Sequence, residues 1–199
     1  MTKGERQNSD EIVTKGKKQN SEWIKKEWGS KTRHVGFVTH AREFLSVVDL
    51  IESHDAAESK DLFWSDGRLF VKYYLLCHAI ELGLKSYLVQ HGYTQEELRK
   101  MGHNLCKILA EMDEILTEKN ECSIGHSLVP PYLRRAIAFL SDLYLKKVFE
   151  YPVRTGTMCS GEWPCVKTML RDIQKLLFFL NHLYVADSNA EERASNTER

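Results

Sequence analysis

The stretch Val71–Leu109, VKYYLLCHAIELGLKSYLVQHGYTQEELRKMGHNLCKIL, constrains the fold of this chain more than any other. Leu75, Leu76, Cys77, Ala79, Ile80, Leu82, Leu84, Tyr87, Leu88 and Val89 leave few directions polar, so a helix here is apolar almost all round. Such a helix must be covered on several sides, which places it at the centre of a bundle. It is expected from about Arg68 to His91 and to stop at Gly92, because glycine takes up the positive φ of a helix C′ position without a Cβ clash. Four hydrophilic side chains interrupt the apolar surface. At 100° per residue Tyr74, His78, Glu81 and Lys85 fall within about 60° of one another, as a narrow polar stripe.

The neighbouring segments supply what such a helix needs. Phe37, Ala41, Phe44, Leu45, Val48 and Ile51 recur at helical spacing, predicting a first amphipathic helix that ends near Ser53–His54. Polar residues follow, with a turn at Asp66-Gly67; Leu62, Phe63 and Trp64 are expected to cover one end of the core. After Gly92, Thr94-Gln95-Glu96-Glu97 has capping-box spacing and predicts a short helix from Gln95 to Gly102. His103 then opens the next helix, either capping it or bridging to a neighbour; Leu105, Ile108, Leu109, Met112, Ile115 and Leu116 form that helix's face.

Residues 118–129 read as a loop, and Pro130-Pro131 suits the first turn of a helix carrying Leu133, Ala136, Ile137, Leu140, Leu143, Tyr144 and Val148. Tyr151–Gly161 is a second loop. A last helix starts near Glu162, with Pro164 in its first turn, and runs to about Ala186. No segment alternates with period two for long enough to be a strand, and no fixed-period repeat appears. The expected fold is an all-α, up-and-down bundle of about five helices over residues 36–186. A polar N-terminal arm, 1–35, and a C-terminal tail, 187–199, are expected to be flexible; Trp23, Ile24 and Trp28 are apolar exceptions that dock a turn of the arm.

Charge narrows the partners. Lys+Arg 28 against Asp+Glu 28 gives no global case for a polyanionic partner, although the arm carries a local excess of basic residues. The five cysteines contain no CxxC pair and read as buried reduced thiols. No apolar run approaches the roughly 18–20 residues that cross a bilayer, so a cytoplasmic protein without a membrane partner is expected.

The phosphate loops GxxxxGK[ST] and GxGxxG, the HExxH and GxSxG signatures and paired Cys/His spacings are all absent, and neither a metal nor a cofactor is expected. The candidate site is the stripe Tyr74, His78, Glu81 and Lys85 with Arg99 and His103 downstream. A structural role accounts for much of it, since Glu81 and Lys85 form an i,i+4 ion pair of the favourable orientation. The functional alternative has His78 or His103 moving a proton near neutral pH while Arg99 or Lys85 binds an anion.

The runs CHAIELGLKSYL and ELRKMGHNLCKIL, with FLSDLYLKKVFEYPV later, resemble the HEPN superfamily of helical domains over about residues 37–185. The resemblance implies a bundle, often a homodimer, of a type found in RNA-cleaving toxins, their paired or degenerate relatives, and RNA- or nucleotide-associated modules. Catalytic members place an arginine and a following histidine with four to six residues between them, late in the fold. Here Arg99 and His103 have three residues between them, Arg33 and His40 have six but lie in the first helix, and no histidine follows Arg134, Arg135 or Arg154 at that spacing. What the resemblance implies is therefore a non-catalytic or degenerate binding domain for RNA, a nucleotide or a partner protein, in a toxin–antitoxin or defence setting. The alternatives are a metal-independent ribonuclease using Arg99 and His103, and a purely structural dimerisation module.

Overall fold

The computed structural model describes residues 30–57, 68–118, 128–150 and 162–197. The described residues form six helices and no strand: α1 Ser30–Ala57, α2 Arg68–Gln90, α3 Gln95–Met101, α4 Leu105–Glu118, α5 Pro131–Leu145 and α6 Val166–Thr197. The all-helical expectation is met. The readings of Trp23, Ile24, Trp28, Leu62, Phe63, Trp64, Cys122 and Cys159 fall outside the described residues.

The apolar circumference of α2 decides the packing. Helices α1, α4, α5 and α6 all contact it, and Leu76, Cys77, Ala79, Ile80, Leu84, Tyr87 and Leu88 are fully buried. Each large apolar side chain removed from water in this way stabilises the fold by roughly 1.5–3 kcal/mol. Facing them are Ala41, Leu45 and Val48 of α1, Leu105, Ile108 and Met112 of α4, Leu133, Ile137 and Leu140 of α5, and Ile173, Leu176, Leu177 and Leu180 of α6.

Local signals set where these helices begin and end. Gly92 has φ +91°, its N–H donates to the Val89 carbonyl, and the Tyr93 N–H donates to the Leu88 carbonyl. Those are the two bonds of a Schellman cap, so α2 ends where the glycine predicts. Thr94 and Glu97 make both bonds of the capping box. Gly102, at φ +60°, closes α3. The cap of α4 is Asn104, whose Oδ1 accepts the Lys107 N–H at 3.0 Å; His103 is free to bridge instead.

Several helix boundaries differ from the sequence reading. Helix α1 starts at Ser30 rather than Phe37, because His34 and Val38 are buried against the body, and it runs on to Ala57. The His34 Nδ1–H donates to the Ser86 carbonyl of α2. Pro164 precedes α6 rather than lying in its first turn, and its carbonyl accepts the Tyr73 hydroxyl at 2.6 Å. Helix α6 continues past Ala186 to Thr197, in a stretch with neither glycine nor proline to end it.

One end of the core is covered by Phe149 and Trp163, whose rings pack with Phe70 and Tyr73 of α2. Beside them Lys72 reaches Glu52 at 2.6 Å and Asp55 at 2.7 Å, tying the end of α1 to the start of α2. The expectation that the cysteines are buried is corrected in part. Cys77 is buried, but Cys106 and Cys165 are exposed, since Cys106 lies off the apolar stripe of α4 and Cys165 just ahead of α6.

Close approach of α2 and α6 requires a small residue between them: a Cβ built on Gly83 lies 2.9 Å from Leu177 Cδ2. Gly83→Val is therefore expected to lower stability by about 1–3 kcal/mol through overpacking. The urea midpoint of Gly83→Val combined with Leu177→Ala should fall by less than the sum of the single losses. Strict additivity would show that the two helices do not meet there.

Candidate functional site

The stripe on α2 meets two other segments, the C-terminal end of α5 and the turn between α3 and α4. Glu81 is at the junction, 5% exposed. Its Oε1 accepts from Lys85 Nζ at 2.6 Å, one helical turn away. Its Oε2 accepts from His103 Nδ1 at 2.8 Å and from the Tyr144 hydroxyl at 2.7 Å. Lys85 Nζ also donates to the Gly102 carbonyl at 2.9 Å, so the ammonium holds the carboxylate and the turn together. On the far side of Tyr144 its hydroxyl oxygen is hydrogen-bonded to His78 Nδ1.

The rings stack as well as bond. Tyr74 and His78, four residues apart on α2, have centroids 5.1 Å apart and planes 29° apart. His103 continues the series, 6.2 Å from His78 with an interplanar angle of 23°. Phe44 of α1 and Tyr144 of α5 meet His78 edge-on, and Tyr144 also meets His103 edge-on. The result is a short ladder, Tyr74–His78–His103, walled by two aromatic edges. His103 ends it with a side chain 47% exposed.

Burial and partners set the protonation states. Burial alone raises the Glu81 carboxyl, but hydrogen bonds from Lys85 and His103 outweigh it and hold the group below the usual glutamate range. Burial holds the His78 imidazole below its ordinary value, against the opposing pull of Glu81. Burial and the Glu81 charge push the Tyr144 phenol far up. At neutral pH the centre therefore contains a carboxylate, a neutral His78 and a protonated tyrosine.

Of the residues singled out from the sequence, Tyr74, His78, Glu81, Lys85 and His103 come together; Arg99 does not. It lies exposed on α3 and makes no ion pair among the described residues. Tyr144 is the member that sequence reasoning missed, since its spacing places it in the apolar stripe of α5. The available signal was chemical: a buried phenol needs a partner for its hydroxyl. No group of three or more His, Cys, Asp or Glu among the described residues is placed to hold a metal ion. A separate, largely apolar cavity of about 230 Å³, lined by Gly36, Phe37, His40, Val89, Gln95 and Leu98, contains none of the predicted site residues. No described helix is long and apolar enough to cross a membrane.

Compared with protein-family models, curated proteins and solved structures, the chain matches none of them.

Two predictions follow from the Glu81 centre. Glu81→Leu leaves the nearly buried Lys85 ammonium without its counter-ion and should cost about 3–5 kcal/mol of unfolding free energy. Adding Lys85→Met should recover at least half of that loss, and a double variant no more stable than the single one would show that the pair is not coupled. The pH dependence has a definite sign. Glu81, depressed below 4.5, contributes stability above that pH and loses it as pH falls through its folded value. His78, depressed below 6.5, stays neutral in the fold while the unfolded chain takes up the proton, so stability declines as pH drops below 6.5. The urea midpoint should be steady from pH 8 to 7 and fall below that, with a shallower fall between pH 6.5 and 5 in His78→Phe.

Proposed function

We propose that this chain is a HEPN-like binding domain that associates with RNA or a nucleotide and has no nuclease activity of its own. The observation that supports this most is the ring ladder Tyr74–His78–His103, which ends in a half-exposed imidazole. Stacked, sequence-tolerant aromatic platforms are how proteins hold unpaired bases. Exposed cations lie on either side of His103 in the chain, Arg99 on α3 and Lys107 in the first turn of α4, where they suit a phosphate backbone.

The same geometry argues against ribonuclease chemistry. Activating a ribose hydroxyl and steadying the phosphate that forms takes a histidine and a cation that converge. Lys85 is committed to Glu81 and the Gly102 carbonyl, while Arg99 stays outside the network. Fluorescence anisotropy with labelled single-stranded RNA is expected to show salt-dependent binding without cleavage. Arg99→Glu with Lys107→Glu should weaken it severalfold and reduce the salt slope by about 1–2. Cleavage without added metal that disappears in His103→Ala would establish the ribonuclease alternative instead.

A second reading, self-association, has its own support. Phe178, Phe179 and Val185 of α6 are 55%, 49% and 49% exposed, and His182 packs on Phe178. Sedimentation of the same preparation beside Phe178→Glu decides it: a dimer that the substitution dissociates supports a homodimer through α6.

A further inference from the structure

The hydrogen-bond directions in the Glu81 centre are fixed by counting protons. A carboxylate can only accept, so both groups on Glu81 Oε2 must donate: His103 through Nδ1–H and Tyr144 through its hydroxyl. The phenol has one proton, and Glu81 takes it. His78 Nδ1, bonded to the same phenol oxygen, must then supply a proton of its own. The chain runs His78 Nδ1–H to Tyr144, Tyr144 O–H to Glu81, and Glu81 back to His103 Nδ1–H. One buried carboxylate thus fixes the tautomer of two imidazoles. In its neutral form each imidazole leaves a bare lone pair on Nε2, and among the described residues neither Nε2 has a hydrogen-bond partner.

Two such acceptors beside a ring face define a ligand. Against the neutral ring forms a phosphate would bring acceptor oxygens onto acceptor nitrogens. A guanidinium would supply donors, but its charge needs an unpaired anion. Here Glu81 is neutralised by Lys85, and Glu150, the other acid near the ladder, has Lys147 at 3.6 Å. A neutral planar ring with N–H donors meets neither objection.

We infer that the open end of the ladder at His103 recognises the base of a nucleotide, specifically a heterocycle bearing an exocyclic amine such as adenine or cytosine, which stacks on the rings and donates to Nε2. The inference rests on the nucleotide-binding reading and adds the part of the ligand that this site takes: the base sits here, and the phosphates lie outside, toward Arg99 and Lys107.

The test is an NMR titration of the full chain with adenosine, N6,N6-dimethyladenosine, uridine, inorganic phosphate and N-acetyl-arginine amide, following the imidazole resonances. Those of His78 and His103 are assigned by His78→Asn and His103→Asn; asparagine keeps an N–H donor for the inward bond and deletes Nε2. Adenosine should shift both imidazoles and bind roughly fivefold more tightly than its dimethylated form, the difference one net hydrogen bond makes. That preference should vanish in His103→Asn. The wild-type 15N spectrum should show Nδ1 protonated and Nε2 bare at both residues, a readout that needs no variant to fold. Equal binding of dimethyladenosine or uridine, the opposite tautomer, or saturation of the same resonances by phosphate or the arginine derivative would overturn the inference. If no nucleoside binds while labelled RNA still does, the base site is wrong and the RNA-binding reading survives; if RNA also fails, both fall.

Discussion

Everything near the candidate site depends on one carboxylate with almost no access to water. Withdrawing Glu81 from solvent costs several kcal/mol, and only good geometry with all lone pairs engaged offsets that. Its three donors come from three separate places in the chain: Lys85 from its own helix, His103 from the α3–α4 turn and Tyr144 from the end of α5. Satisfying Glu81 therefore positions the turn and α5 relative to α2, which hydrophobic contact alone does not specify, being non-directional. Lys85 reinforces this by reaching the carbonyl of Gly102, whose φ of +60° favours a glycine at that turn.

Much of this was legible in the sequence because the responsible signals are local. The apolar circumference of α2, the glycine at 92 and the capping box at Thr94 are each contained within a few residues, and each appears as read. The polar stripe was legible for the same reason: helical periodicity alone puts Tyr74, His78, Glu81 and Lys85 on one face. What escaped depends on pairings distant in the chain. Tyr144 is 63 residues from Glu81, and its hydroxyl is invisible to a pattern that counts it as apolar. His34 was assigned to the arm because its partner, the Ser86 carbonyl, lies 52 residues away. The reach of Lys72 to Glu52 and Asp55 is equally non-local. Arg99 shows the converse error: nearness in sequence to His103 does not bring it into the network, because α3 turns it outward to solvent.

Stability and recognition are not separable at this site. The residues that compensate Glu81 are those that fix the imidazoles, so the structural account of the stripe and the functional one describe the same bonds from two sides. A buried polar network with every member satisfied is rigid, and a rigid network presents its outward atoms in one arrangement. His103 belongs to both categories: its Nδ1 completes the buried centre while nearly half of its side chain faces water.

The register of the ladder follows from the lengths of the elements between its members. Tyr74 and His78 stack because residues four apart on a helix lie one above the other. His103 joins them only because the Schellman cap at Gly92, the seven residues of α3 and the turn at Gly102 together return the chain to the level of Glu81. Adding a residue to α3 would rotate its end by about 100° and advance it by about 1.5 Å, carrying His103 away from Glu81 while Lys85 stayed in place. The short helix between two glycines, which has little apolar surface of its own to bury, is thus explained by what it must deliver: an imidazole to a carboxylate 22 residues earlier.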